Sequence, residues 1–264
     1  MGIAHVAVLA RACRRRCPLL DCKPGMPLLK ETHVPVESIK MLSSMATREI
    51  LSRLVAAYAE ITGTALVQLE SAGGVDVARR VQSGEVVDIV VLARGAIDQL
   101  IKGGQLRDGS RVDLASSGMA VAVKVGGPHP EISSEAALRQ AILAARSLGY
   151  STGPSGNHLV KLFEQWGIKE QIASRIVQAP AGVPVATLVA RGDAEFGFQQ
   201  LSELLHVAGV EILGPMPGAT QSITTFSAAV STACTRAPEV QALLEFLAGP
   251  QADAIKRELG MEPA

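Results

Sequence analysis

Aromatic residues are scarce in this chain: Phe, Tyr and Trp make up 3% of 264 residues, with a single Trp. Platforms that bind single-stranded nucleic acid need aromatic faces for base stacking, so that class of partner is disfavoured. Net charge is lacking as well, because 25 basic and 25 acidic residues cancel. The bulk electrostatic grip used on nucleic acid or acidic membranes is therefore absent. Apolar runs reach strand length and no further, which leaves no membrane span. There is no P-loop, no G-x-G-x-x-G after a strand and no H-E-x-x-H, so nucleotide, dinucleotide and zincin readings fail, and no cofactor is called for. "SAGGVD" is glycine-rich but lacks the lysine of a phosphate-cradling loop.

Cysteine is sparse too. Three of the four (Cys13, Cys17 and Cys22) fall in the first 38 residues without a C-x-x-C pair, and His33 is distant, so no metal site is expected. Cys234, isolated in an apolar stretch, reads as a buried free thiol, and nothing requires disulfides. Residues 1–38 also carry four arginines within six positions, placed after the apolar run "IAHVAVLA", whereas an export signal has its positive charges first. The expectation is a disordered or misassigned leader over 1–38. The chain is cytoplasmic as written, and periplasmic if the true N-terminus differs.

What is present is alternation. From Ile39, "IKML", "ALVQLES" and "VVDIVVLA" read as strands, each followed by a helix: "SSMATREILSRLVAAYAEITG", "GGVDVARRVQSG" and "AIDQLIKGG". Strand then helix, repeated, predicts a parallel sheet with right-handed crossovers. A second α/β unit opens near Gly118, and a long strand over "SITTFSAAVST" precedes two closing helices.

Ligands of such sheets bind beyond the carboxyl ends of the strands, where loops enter helices. Four junctions carry hydroxyls or glycines and no fixed positive charge: Ser43 and Ser44, Ser71 to Gly74, Ser116 to Gly118, and Ser151 to Asn157. The last, "STGPSGNHLVKLFEQWG", passes from small polar residues into an amphipathic helix with Leu159, Leu162, Phe163 and Trp166 on one face. A helix N-terminus carries unpaired N–H groups and partial positive charge, which suits a small anion, although Ser155 or Asn157 acting as a plain helix cap accounts for the same residues.

In order and spacing, "IKMLSSMATREILSRLVAAYAEITG", "SGEVVDIVVLARGAIDQLIKGGQL", "YSTGPSGNHLVKLFEQWGI" and "LVARGDAEFGFQQLSELL" resemble blocks of type II periplasmic solute-binding proteins of the molybdate-binding branch, over about residues 39 to 264. The resemblance implies a two-lobed α/β fold with the ligand in the cleft between lobes. It divides the chain into lobe 1 (39–118 plus 235–264) and lobe 2 (119–234). It implies oxyanion contacts from Ser43 and Ser44 and from Ser155 with Gly156, and an ABC transporter as partner if the protein is exported.

Molybdate binders of this group place a tyrosine near "EFGFQQ", where this chain has Gln199 and Gln200. A carboxamide both donates and accepts, which suits a di- or tricarboxylate. The "GFQQ...SELL" block and the "GMEP" ending are similar to those of aconitate isomerases, which resemble this branch turned to moving a double bond by proton abstraction and return. Two functions therefore stay open: binding of a small anion, oxyanion or polycarboxylate, as a solute-binding or sensor protein, and isomerisation of an unsaturated polycarboxylic acid. The candidate ligand-binding set is Ser43, Ser44, Ser71, Gly73, Gly74, Arg94, Ser117, Ser155, Gly156, Asn157, Gln199 and Gln200. Should the chain catalyse, the general-base candidates are His158 and Glu203.

Overall fold

A computed structural model describes residues 38–63, 67–180 and 182–264. The leader and its cysteines Cys13, Cys17 and Cys22 lie outside the described residues. The first lobe begins with strand β1 (Ile39–Ser44), helix α1 (Arg48–Thr62), β2 (Val67–Ala72), α2 (Gly74–Gln82), β3 (Ile89–Ala93) and α3 (Arg94–Lys102). These are the three expected strand–helix units. In β1 and β3 successive side chains enter opposite cores: Met41, Ile89 and Val91 pack on one face, and Leu42, Val90 and Leu92 on the other. A sheet covered on both faces needs continuous apolar runs, which is why "IVVLA" has no polar alternation. Helix α1 buries Ile50, Leu51 and Leu54 and stops at Gly63, whose φ of 66° is left-handed. Ile61, in the last turn of α1, is 70% exposed.

Strand β4 (Val112–Lys124) begins before Gly118, where the second unit is expected to open, and runs through both lobes. The second lobe adds α4 (Glu135–Ala144), β5 (Leu148–Tyr150), α5 (Pro154–Gln165), α6 (Lys169–Ile172), β6 (Ile176–Gln178), α7 (Val185–Arg191), β7 (Phe196–Gln200), α8 (Leu201–Leu204) and β8 (Val210–Pro215). Ser134 caps α4, its hydroxyl accepting the Ala137 N–H at 3.2 Å. The chain returns through β9 (Ile223–Val230) and ends with α9 (Ala237–Ala248), α10 (Asp253–Glu258) and the short β10 (Glu262–Pro263). The two sheets have matching orders, β2-β1-β3-β9-β4 and β6-β5-β7-β4-β8. In each, the strand between the third and fifth places runs antiparallel to its neighbours.

Strand β9 pairs with β3 and β4 in the first sheet, and Phe226, Ala228, Val230 and Cys234 lie in the first lobe's core. Residues 223–234 therefore pack with lobe 1, not with the lobe 2 to which the sequence-based boundary at 234 assigns them. An apolar strand declares its burial in sequence but not its partner. Cys234 is a buried free thiol, as expected.

Two strands of chain cross between the lobes, β4 and the β8–β9 link. One side chain clips them together: Gln221 Oε1 accepts the Met119 N–H at 2.7 Å, while Nε2 donates to the Met119 carbonyl at 3.0 Å. Gly118 leaves room for it, since a Cβ there would stand 3.2 Å from Gln221 Nε2. Gln221→Ala removes two hydrogen bonds from Met119, whose N–H and carbonyl keep backbone partners at Ser222 and Met216, so the cost is about 0.5–1.5 kcal/mol for each bond lost. The expected result is a fall of several degrees in Tm with faster hydrogen exchange at Met119, read by calorimetry and exchange mass spectrometry.

Candidate functional site

The carboxyl ends of β1, β2, β5 and β7 open on one cavity of about 580 Å³ between the lobes. On the first-lobe side stand Ser44, Gly73 and Gly74, with Gly74 close enough that its Cβ position lies 3.8 Å from Ser44 Cβ. From there one face of α2 continues the wall through Val75, Ala78, Arg79 and Gln82, spaced as a helix repeats. The second lobe contributes Ser151 to Ser155, Asn157, and the segment Gly182 to Pro184. At the mouth the lobes touch, since a Cβ on Gly73 would be 3.5 Å from the Gly182 backbone nitrogen.

Neither α2 nor α5 is capped by a side chain. Both N-termini meet the cavity, so two sets of first-turn amides and two positive dipole ends face one volume, an arrangement that stabilises negative charge. Hydroxyls supplement them: Ser151 and Ser155 stand 3.3 Å apart at the start of α5, and Ser44 lies 3.3 Å from Thr47 Oγ1. The charged lining groups among the described residues are Asp76, Arg79 and Glu203.

Of the residues picked from sequence, Ser44, Gly73, Gly74, Ser155, Asn157, Gln199, Gln200 and Glu203 line the cavity. Six others are placed elsewhere. Ser43 points to the opposite side of β1 from Ser44, as strand alternation requires, and its hydroxyl bonds that of Ser71 at 2.7 Å. Ser117 donates to the Gly260 carbonyl at 3.2 Å and accepts the Ser202 N–H at 3.4 Å, which ties β4 to the chain end and to α8. Arg94 turns away to Asp113, which also takes the Ser227 hydroxyl at 2.6 Å. Gly156 is buried where a Cβ would fall 1.7 Å from the Ser151 carbonyl oxygen, so glycine there lets α5 start tightly against β5. His158 donates from Nε2 to the Thr220 carbonyl at 2.9 Å, and so serves to hold the crossover link. Arg79, paired with Asp76 on α2, is the cation that the fold brings to the cavity among the described residues.

The cavity floor is built by Gln199, Gln200 and Glu203. Gln199 Oε1 accepts the Val185 N–H at the start of α7 at 2.9 Å, which leaves its amide nitrogen to donate to Glu203 Oε1 at 2.7 Å. A backbone donor thus fixes the amide's orientation, and the amide fixes the carboxylate. Burial pushes the Glu203 carboxyl up to about 7 from its ordinary 4.5, and the bond from Gln199 draws it partly back. Gln200 Nε2 donates to Thr224 Oγ1 at 2.8 Å, and its Oε1 is buried without a protein partner.

A paired two-lobe α/β architecture with an anion-favouring cleft is a known fold, and the family model for bacterial extracellular solute-binding proteins matches residues 39–262. The chain belongs to that family. Among solved structures, the periplasmic molybdate-binding protein of Azotobacter vinelandii aligns with a TM-score of 0.71 at 20% identity, covering 85% of this chain and 98% of that one. The tungstate ABC transporter structure from Geobacter sulfurreducens aligns with a TM-score of 0.66 at 15% identity, covering 84% and 98%. These likenesses bear on fold. In sequence, an aconitate isomerase of a Pseudomonas species is 35% identical over 234 residues, which is 87% of this chain and 89% of that protein.

With a carboxyl at the cavity floor, a bare oxyanion would meet like charge whenever Glu203 is ionised. No helix among the described residues is long and apolar enough to cross a membrane. The raised Glu203 value makes a signed prediction. Because the folded carboxyl binds its proton more tightly than the unfolded one, its contribution to stability is fully present below about pH 4.5 and is lost as pH rises through about 7. At ~1.4 kcal/mol per pH unit the loss is on the order of 3 kcal/mol. Glu203→Gln, which keeps an acceptor for Gln199, is expected to flatten this pH dependence, measured by urea unfolding between pH 4.5 and 8.

Proposed function

We propose that the cleft binds a small unsaturated polycarboxylate and that Glu203 moves a proton on it, making the protein an isomerase of the aconitate type. The observation that carries this reading is Glu203 itself, a carboxyl on the floor of an anion-favouring cavity, oriented by Gln199 and poised near 7. A general base works best with a pKa close to the working pH. The 35% identity to an aconitate isomerase, spread across most of both chains, supports it.

In the reaction the Glu203 carboxylate takes a proton from a CH₂ group next to the C=C bond. The C–H electron pair spreads over the allyl unit towards a neighbouring carboxylate. The same carboxyl then returns the proton to the far allyl carbon. One C–H bond breaks, another forms, and the double bond moves one position with no net gain of protons or electrons. The hydroxyls of Ser44, Ser151 and Ser155 and the N-termini of α2 and α5 stabilise the ligand's carboxylates and the charge that builds on them.

Family membership favours a second reading, binding without turnover, with the protein acting outside the cytoplasm and delivering its ligand to an ABC transporter. Proton NMR of cis- and trans-aconitate in D₂O with the full chain separates the two. Interconversion is expected, with deuterium entering the ligand to the extent that the proton on Glu203 exchanges with solvent before its return. Its rate should rise with pH through an apparent value near 7, since the base must be ionised. Glu203→Gln should lower turnover by about 10²–10⁴-fold while thermal stabilisation by ligand persists. Stabilisation of the wild-type chain without interconversion leaves the solute-binding reading. Neither stabilisation nor turnover sinks both.

A further inference from the structure

We infer that Arg79 is a second carboxylate anchor, placed at the outer end of the cavity, so that the site selects ligands whose carboxylates are far enough apart to reach both ends. The inference rests on the reading that the ligand is a polycarboxylate. The cavity does not stop at the cluster of hydroxyls and helix ends. From Gly74, packed beside Ser44, it follows α2 through Val75, Ala78, Arg79 and Gln82, with Ala96 and Gln99 of α3 beside them. The middle of this arm is walled by short apolar side chains, and its end by a guanidinium and two carboxamides. An arm of that make-up suits a carbon chain ending in an anion.

Distance supports the pairing. Five residues of α-helix separate Gly74 from Arg79, about 7.5 Å along the axis. Carboxylates on one carbon, as in malonate, cannot bridge that gap, whereas those at the two ends of a five-carbon acid come within reach of a flexible arginine. Charge supports it as well. The other donors lining the cavity are neutral, and a ligand with two or three negative charges shares the space with Glu203. Arg79 is available because its ion pair is with Asp76, three residues earlier on the same helix, and the Arg79 side chain is 75% exposed. Such a pair is weak, so a carboxylate entering the cavity competes with Asp76 on favourable terms. Arg94 is not among the lining residues and is turned to Asp113.

The test is isothermal titration of the full chain with three saturated acids that Glu203 cannot isomerise: malonate, glutarate and tricarballylate. Malonate and glutarate carry the same charge and differ in reach, so a general loss of positive potential would weaken both alike. Arg79→Gln is expected to weaken glutarate and tricarballylate about tenfold to a hundredfold, the range for a charge-assisted hydrogen bond, and malonate less than threefold. Asp76→Asn, which frees the guanidinium and removes a negative charge from the lining, should tighten the two longer acids more than malonate, so the inference has a gain-of-affinity arm that misfolding cannot imitate. Equal losses for malonate and glutarate in Arg79→Gln, or no change for either, would overturn it. Failure of all three acids to bind the wild-type chain would sink the polycarboxylate reading, and this inference with it.

Discussion

The site depends on one strand serving two sheets. Val112 to Gly118 of β4 pair with β9 in the first lobe, and Met119 to Lys124 pair with β7 and β8 in the second. Because the strand passes between lobes without a break, the carboxyl edges of the two sheets are held facing a common space. Residues as far apart in the chain as Ser44, Gly74, Ser155 and Glu203 meet there. Gln221 clips the crossing strands at Met119, the point where β4 changes sheets.

The cavity's electrostatics are asymmetric. Its walls are helix N-termini and hydroxyls, which favour negative charge without carrying a full positive one. Its floor is a carboxyl whose ionisation the same burial opposes. Holding an acid there works against stability as pH rises, and a fold retains such a group only where the surrounding structure holds it in place. Gln199 does so through two bonds, one to the first backbone N–H of α7 and one to the carboxylate.

Much of the fold was legible, for a physical reason. Strands covered on both faces must be apolar throughout, helices must present one apolar face, and Gly63 must follow α1 in a left-handed turn. Each of these is a local demand, written in neighbouring residues. Junction chemistry was legible too: the small polar residues after β1, β2 and β5 mark where backbone meets the cavity, and Ser44, Gly73, Gly74 and Ser155 do line it. Glu203 could be named as a candidate, but its weight could not be judged, since an acidic residue in a first helical turn is ordinary until its burial is known.

What sequence could not settle were choices between near-equal neighbours. Ser43 and Ser44 have the same chemistry, and only the strand's seating decides which of them faces the cavity. Arg94 follows a strand directly and Arg79 lies within a helix, yet the fold gives Arg94 to Asp113 and brings Arg79 to the lining. The partners of β9 are likewise silent in its own residues. By itself, then, the sequence determined two α/β units and the loops that could hold an anion, because these follow from periodicity and backbone freedom within short segments. Only the tertiary structure decided which hydroxyl, which arginine and which carboxyl share the cavity, because that depends on strand register and lobe pairing between segments more than a hundred residues apart.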